Sequence, residues 1–267
     1  MRADYDVLNL QADGQIDENE IVEQYRSGRF NGLFLRLSRG SRLRNLDFLA
    51  RMPRIEYLEI EGRVVDDSAA FQVPGLRELV LLTKGEAAIP RGRNSSLSVL
   101  AFDDRGDRID LEGFPSLTGL TIWSSLRRDL DFLGDVTELA SFKLEGTGQI
   151  LDLSGLDRCR KLYELEIVET RAKSLVPLGQ LKRLRRCWLV GGGRLVQAEP
   201  LDFNDVSGLS GLEELRVTYG GEVRSVAPLL GMSSLRDVRL RGTTVVAGDS
   251  ILLDEFPDSV TVVGPDG

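Results

Sequence analysis

A leucine spacing that returns about every 22 residues runs through this chain of 267 residues. Written Leu-x-x-Leu-x-Leu, it is clearest at 76–81, 117–122, 162–167, 212–217 and 235–240, where isoleucine or valine fills some of the apolar positions. A period of 20–29 residues with this signature is typical of a solenoid of stacked coils. No coil can bury its apolar side alone, so the repeat predicts coils that share a continuous core.

The middle apolar position of each repeat marks the register of the coils. The markers are Leu8, Leu35, Leu58, Leu79, Leu100, Leu120, Phe142, Leu165, Cys187, Leu215, Val238 and Val260. By subtraction they lie 20 to 28 residues apart, and the two longest steps end at Leu35 and start at Cys187. Each of these two steps indicates an inserted segment.

Two periodicities alternate along the chain. Around each marker, apolar residues recur at every second position, which is typical of a short strand. Between markers they recur every three residues, as at Leu175, Leu178, Leu181 and Leu184, which suits a 3₁₀ turn. The sequence therefore predicts an α/β solenoid with a parallel β-sheet on the concave side and short helices or 3₁₀ turns on the convex side.

Residues 175–192, "LVPLGQLKRLRRCWLVGG", resemble the leucine-rich repeat family, specifically its short-coil, internalin-like type. The resemblance covers roughly residues 30–267 and implies a leucine-rich repeat horseshoe. The family places an asparagine after each strand, where its side chain bonds the neighbouring backbone. This chain has Thr147, Thr170 and Thr243 there in some coils, and Gly192 and Gly220 in others. Because glycine has no side-chain donor, we expect an incomplete ladder of side-chain hydrogen bonds between neighbouring coils.

Residues 1–30 depart from the repeat and are predicted to form an N-terminal cap of one strand and one helix. Asp17 is the candidate N-cap of the helix and Gly28 its C-terminal stop. Residues 9–20 also resemble an EF-hand calcium loop, but they begin in the predicted strand, and a simple turn into a helix is the favoured interpretation. Residues 31–267 are predicted to form a solenoid of roughly eleven coils.

Composition narrows the partners that we expect. The formal net charge is −8, which disfavours nucleic acid and favours a protein with a basic surface. The N-terminus has no apolar signal core, and no apolar run is long enough to span a membrane. The two cysteines, Cys159 and Cys187, occupy core positions and suggest a reducing compartment. We expect a cytoplasmic protein that is a monomer when unbound and does not bind membranes.

The residue types disfavour catalysis. The chain has no histidine, and both cysteines are expected in the core. The carboxylate pairs Glu59/Glu61 and Glu164/Glu166 lie on an open strand face, where solvation keeps both groups ionised. We therefore expect a non-enzymatic protein with no cofactor and no metal.

Residues that alternate with the core positions are expected to face outward on the concave side. Both tryptophans fall there, and carboxylates come early in the chain while arginines come late. Tryptophan and arginine are frequent at interface hot spots. The predicted partner-binding residues are Tyr57, Glu59, Glu61, Val80, Leu82, Trp123, Glu164, Glu166, Arg186, Trp188, Val190, Arg216, Arg239 and Arg241.

These features predict a protein–protein interaction module that binds its partner on the concave face. A narrower hypothesis is an immunity- or antitoxin-type inhibitor of a basic toxin, by analogy at the level of fold. The alternative is a regulatory subunit or scaffold that steers a partner enzyme. The outward charges also admit a simpler interpretation, a solvated face of ordinary cross-strand ion pairs.

Overall fold

The computed structural model describes residues 5–14, 16–52, 54–83, 94–106, 109–134, 136–191, 199–219 and 221–266. The chain divides into two compact units, Met1–Ile122 and Trp123–Gly267, here called unit 1 and unit 2. The glycines Gly192 and Gly220, and residues 192–198 of the long segment 191–200, lie outside the described residues.

The described elements are mostly short strands joined by 3₁₀ turns. The strands are β1 (Val7–Ala12), β2 (Gly32–Leu37), β3 (Arg42–Leu43), β4 (Tyr57–Glu61), β5 (Arg63–Val64), β6 (Glu78–Leu82), β7 (Val99–Asp103), β8 (Gly119–Ser125), β9 (Ser141–Gly146), β10 (Ile150–Leu151), β11 (Glu164–Val168), β12 (Arg171–Ala172), β13 (Arg186–Val190), β14 (Glu214–Thr218), β15 (Gly221–Val223), β16 (Asp237–Arg239), β17 (Thr243–Val245) and β18 (Thr261–Val263). The α-helices are α1 (Glu18–Ser27) and α2 (Ala227–Leu230), and 3₁₀ helices span Asp47–Arg51, Ser68–Gln72, Asp131–Leu133, Leu156–Arg158, Val176–Gln180, Phe203–Asp205 and Ser250–Glu255.

Among the described residues, twelve strands form a parallel sheet whose order is the chain order, β1-β2-β4-β6-β7-β8-β9-β11-β13-β14-β16-β18. The six remaining strands pair two by two, β3 with β5, β10 with β12 and β15 with β17. The connections between sheet strands carry the short helices. This arrangement confirms the predicted parallel sheet with short helices and 3₁₀ turns between its strands.

In unit 1 the register differs from the sequence prediction by two residues in one coil. Leu33, not Leu35, pairs with both Leu8 and Leu58. In unit 2, Val262 rather than Val260 pairs with Val238. Side chains alternate along a strand with period two, so a slip of two leaves every residue on its predicted face.

The three-residue pattern between strands forms the other wall of the core in unit 2. Leu175, Leu178, Leu181 and Leu184 are all fully buried around the 3₁₀ helix Val176–Gln180. Cys187 is buried on the core side of strand β13, and Cys159 is buried directly after the 3₁₀ helix Leu156–Arg158. The predicted core role of both cysteines is confirmed.

The N-terminal segment contains the expected strand and helix. Strand β1 pairs in parallel with β2, and the carboxylate of Asp17 accepts a hydrogen bond of 2.8 Å from the backbone N–H of Asn19 at the start of α1. Helix α1 buries Ile21, Val22 and Tyr25. The boundary at residue 30 between the N-terminal cap and the solenoid stays a prediction.

Hydrogen bonds between coils of unit 2 vary at the position after the strands. The hydroxyl of Thr243 donates to the carbonyl of Val217 at 2.7 Å, whereas Thr147 is exposed. The hydroxyl of Thr170 is buried and bonds no described residue. Gln149 instead bonds the neighbouring coil, donating to the carbonyl of Ser125 at 2.8 Å. The ladder is therefore incomplete in the described coils, as expected.

The chain leaves the sheet of unit 2 through left-handed backbone at some coils. Glu169 follows β11 with φ of 54°, and Tyr219 follows β14 with φ of 51°. A positive φ is uncommon for residues other than glycine, asparagine and aspartate. Across the long coil, β13 and β14 nevertheless pair over five successive residues, from Arg186 with Glu214 to Val190 with Thr218.

Candidate functional site

The outward face of the sheet in unit 2 carries seven of the fourteen predicted binding residues and is here called the sheet face. Its side chains lie in three rows, set by the parallel register. The first row is Ser141, Glu164, Arg186, Glu214 and Asp237; the middle row is Lys143, Glu166, Trp188, Arg216 and Arg239; the third row is Glu145, Val168, Val190 and Thr218. These side chains are all partly exposed.

Trp188 lies at the centre of the sheet face in a fixed environment. The guanidinium of Arg216, its neighbour in the middle row, lies 4.5 Å from the centroid of the indole ring. The indole N–H donates to a carboxylate oxygen of Glu214 at 3.2 Å, and the same oxygen lies 3.3 Å from Arg216. Asp237 holds Arg216 from the other side at 2.7 Å. One carboxylate thus orients both the indole and the guanidinium.

Within the described part of the chain, each late arginine of the predicted set lies beside a carboxylate except Arg241. Arg186 lies 3.2 Å from Glu164 and stacks over the ring of Tyr163 at 5.3 Å. Arg239 donates to Asp237 at 2.9 Å. The sequence predicted negative charge early in the chain and positive charge late. This separation is weaker than the arginine positions suggest, because carboxylates of the first row lie beside the arginines.

Arg241 and Trp123 lie at the margins of the sheet face. Arg241 is exposed in the turn after β16, two residues beyond the end of that strand. Trp123 is partly exposed on β8. Three strand steps separate β8 from β13, which corresponds to roughly 14 Å across the sheet.

In unit 1, two predicted binding residues are buried. Tyr57 and Glu59 are 3% and 7% exposed, respectively. The ring of Tyr5 stacks on Tyr57 at 5.3 Å, and the hydroxyl of Tyr57 donates to Glu59. The segment before β1 thus covers positions that an isolated repeat would leave open. The expected exposure of both residues was wrong, and their burial leaves them little surface for contact with a partner.

The other predicted residues of unit 1 remain partly exposed. They are Glu61, Val80 and Leu82, on β4 and β6. Glu61 accepts a hydrogen bond of 2.6 Å from Arg36 on the adjacent strand β2. This pair is one of the ordinary cross-strand ion pairs that the sequence admitted.

Unit 1 contains a buried ion pair that the sequence pattern does not predict. The guanidinium of Arg105 donates to the two oxygens of Asp67 at 2.7 and 2.5 Å, and Thr83 donates to the same carboxylate at 2.5 Å. The side chains of Arg105 and Asp67 are 3% and 0% exposed. Thirty-eight residues separate them, and no local pattern links them. Their full burial indicates a structural role.

The described residues offer little for catalysis or metal binding. Burial raises the pKa of the Cys159 thiol to about 11 and that of Cys187 to about 12, so both stay protonated at neutral pH. Across the described ranges, no group of three or more histidine, cysteine or acidic residues could hold a metal ion. No helix in this part of the chain is long and apolar enough to cross a membrane.

The fold is that of leucine-rich repeat proteins, and its solved structural neighbours include internalins. The internalin InlF of Listeria monocytogenes aligns with a TM-score of 0.66 and 16% identity, covering 96% of this chain and 79% of that one. The leucine-rich repeat domain of the type III effector XopL aligns with a TM-score of 0.55 and 19% identity, covering 92% and 80%. These identities establish similarity of fold alone.

A third neighbour shows that similarity of fold does not select one class of partner. A complex of TLR13 with single-stranded RNA aligns with a TM-score of 0.58 and 15% identity, covering 88% of this chain and 40% of that one. No family model matches this chain, and no curated protein matches it. The partner must therefore be argued from the residues of the sheet face.

Proposed function

We propose that this protein is a non-enzymatic protein-binding module that holds its partner on the sheet face of unit 2, with Trp188 as the anchor. The observation that supports this most is the oriented pair of Trp188 and Arg216, held by Glu214 and Asp237. Tryptophan and arginine dominate interface hot spots. Side chains already held in place lose less conformational entropy when a partner binds.

The third row supplies the apolar area beside this anchor. Val168 and Val190 are adjacent, partly exposed and next to Trp188 on the same face. Val168, Val190 and the indole of Trp188 form one small apolar patch, and ion pairs of the first and middle rows border it. An apolar centre with a polar rim is the usual anatomy of a protein interface.

The net charge of the whole chain favours a partner with a basic surface. A net charge of −8 attracts such a partner over distances longer than the contacts themselves. We therefore propose, as the narrower function, that the protein is an immunity- or antitoxin-type inhibitor that masks a basic toxin in the cytoplasm. Long-range attraction would speed association, while the Trp188 anchor would slow dissociation.

Site-specific photocrosslinking tests the binding face. A photoreactive phenylalanine analogue replaces Val190 on the sheet face or Arg183, which is exposed before β13 and off that face. Each variant is irradiated in lysate of the source cell. We expect a specific crosslinked protein from position 190 and none from position 183. The reverse pattern would place the interface elsewhere.

The identified partner then allows a quantitative test of the anchor. Trp188→Ala should weaken its binding by about 2 kcal/mol, or roughly 30-fold, measured by calorimetry. Trp123→Ala should weaken binding too if the partner extends to β8. Val176→Ala is the control, because it removes an exposed apolar side chain from the 3₁₀ helix Val176–Gln180, off the sheet face. Inhibition of the partner's activity on binding would support the inhibitor role, and unchanged or stimulated activity would contradict it.

A further inference from the structure

A cavity of about 940 Å³ in unit 1 is lined by an excess of arginine. It lies where the chain leaves α1 and enters strands β2, β4 and β6. Its wall contains Arg26, Arg29, Arg54 and Arg77, and Glu56 is the single carboxylate among the lining residues. Four guanidinium groups against one carboxylate are unexpected in a chain with a net charge of −8.

The backbone at this edge of unit 1 places the lining residues at regular intervals. The carbonyl of Asn31 accepts from the N–H groups of Glu56 at 2.7 Å and of Tyr57 at 3.3 Å. The carbonyl of Glu56 accepts in turn from Arg77 at 2.8 Å and Glu78 at 3.0 Å. Consecutive coils are thereby held at the spacing of parallel strands, roughly 4.8 Å. The wall of the cavity is therefore formed by α1 and by the turns that enter β2, β4 and β6, and the sheet sets the spacing of these turns.

The arginines of the wall are only partly neutralised. Arg77 lies 3.4 Å from Glu56, and both side chains are more than a third exposed. Arg26 donates two hydrogen bonds to the carbonyl of Arg51, which fixes its guanidinium without removing its charge. Arg29 and Arg54 are exposed and form no ion pair with any described residue. Positive charge remains available at the mouth of the cavity.

Tyr25 supplies an independent sign of a ligand. It lines the cavity and is only 5% exposed, and its buried hydroxyl bonds none of the described residues. Burial raises the pKa of Tyr25 to about 12, with Arg54 opposing the rise. The hydroxyl is therefore a hydrogen-bond donor at neutral pH. A buried donor without an acceptor is unfavourable, and an oxygen of a bound anion would satisfy it.

We propose that this cavity binds a compact small molecule with at least two phosphoryl groups, held by Arg29 and Arg54 and accepting a hydrogen bond from Tyr25. Guanidinium groups bind phosphate oxygens in bidentate geometry. The volume falls within the range of small-molecule sites, about 300–1,000 Å³. An extended acidic protein segment fits less well, because the arginines are gathered in one cavity of small-molecule size. This site is independent of the proposed sheet-face function.

Calorimetric titration of the full chain with sodium pyrophosphate tests the proposal. We expect saturable binding that weakens at least tenfold when Arg29→Ala and Arg54→Ala are combined. The corresponding pair of lysine substitutions should retain part of the affinity, because lysine keeps the charge but not the bidentate geometry. Arg44→Ala removes one exposed arginine outside the cavity and should change affinity less than twofold.

Tyr25→Phe separates a ligand contact from a purely structural role. It should weaken pyrophosphate binding several-fold while the melting temperature of the ligand-free protein stays equal or rises. Circular dichroism confirms that each variant is folded. Absence of saturable binding to the wild-type chain, or equal affinity in the double alanine variant, would overturn the proposal. Binding of an acidic peptide that pyrophosphate neither matches nor displaces would assign the cavity to a protein segment instead.

Discussion

At the scale of single residues, the most tightly held polar contact is the buried pair of Asp67 and Arg105. Both groups have left water, and their charges are compensated by each other and by Thr83. Removing one partner leaves the other charge buried and uncompensated, which is costly in the interior of a protein. Breaking this pair should therefore lower the free energy of unfolding far more than breaking an exposed ion pair.

We expect Asp67→Ala to lower the free energy of unfolding by about 3–5 kcal/mol, because Arg105 would remain buried without its carboxylate. Lys173→Ala is the control, since it removes an exposed ion pair of 2.9 Å with Asp152 and should cost less than about 1 kcal/mol. Urea denaturation measures both. Equal losses in the two variants would contradict the structural role of the buried pair.

The neighbours of Asp67 also show why single residues were hard to place from sequence. Each partner of this ion pair lies in an unremarkable polar stretch, and only the stacking of coils brings them together. Likewise, Tyr57 and Glu59 alternate correctly with the core, yet Tyr5 stacks on Tyr57 from a segment about fifty residues away, and the hydroxyl of Tyr57 bonds Glu59. Alternation predicts the face on which a side chain lies but not what packs over that face.

At the scale of elements, the period of the sequence predicted the strands and 3₁₀ turns because both follow from spacing alone. The register was ambiguous where several leucines alternate. In β2, Leu33, Leu35 and Leu37 are all buried, so the pattern alone could not choose between them. The position of the sheet face and the exposure of Trp188 were predictable from the spacing, but the carboxylate partners of its arginines depend on side-chain geometry.

The threonines after the strands provide a matched pair of variants for the contacts between coils. Thr243→Val removes a hydrogen bond to the buried carbonyl of Val217 and should cost about 1–3 kcal/mol. Thr170→Val removes a buried hydroxyl that bonds no described residue and should be neutral or stabilising. Thermal denaturation of both variants measures the difference. A larger loss at Thr170 would show that its hydroxyl has a partner in solution.

At the scale of the whole molecule, the repeat continues in sequence through the point where the two units divide. Strand β8 contains that point, between Ile122 and Trp123. Coils of a repeat protein are stabilised mainly by their neighbours, so unfolding spreads from coil to coil. We therefore expect the chain to unfold in one cooperative transition.

The distribution of probes makes this expectation testable. Both tryptophans and both cysteines belong to unit 2, whereas circular dichroism reports on all coils. Indole fluorescence, thiol labelling of Cys159 and Cys187, and circular dichroism should give one coincident unfolding curve in denaturant. The thiols should resist labelling before the transition because both are buried. An ellipticity change that is separated from the other two signals would indicate that the units unfold independently.

The two edges of the sheet in unit 2 differ in how many inserted residues they can accommodate. At the edge where strands begin, the carbonyls of Ala140, Tyr163, Arg185 and Glu213 each accept two hydrogen bonds from the next coil. At the edge where strands end, the coil from Cys187 to Leu215 is the longest, yet β13 and β14 stay in register. Extra residues can therefore be accommodated at the exit edge without changing the chemistry of the sheet face. Loop grafting after Gly191 would consequently add new recognition elements beside Trp188 while keeping the existing anchor in place.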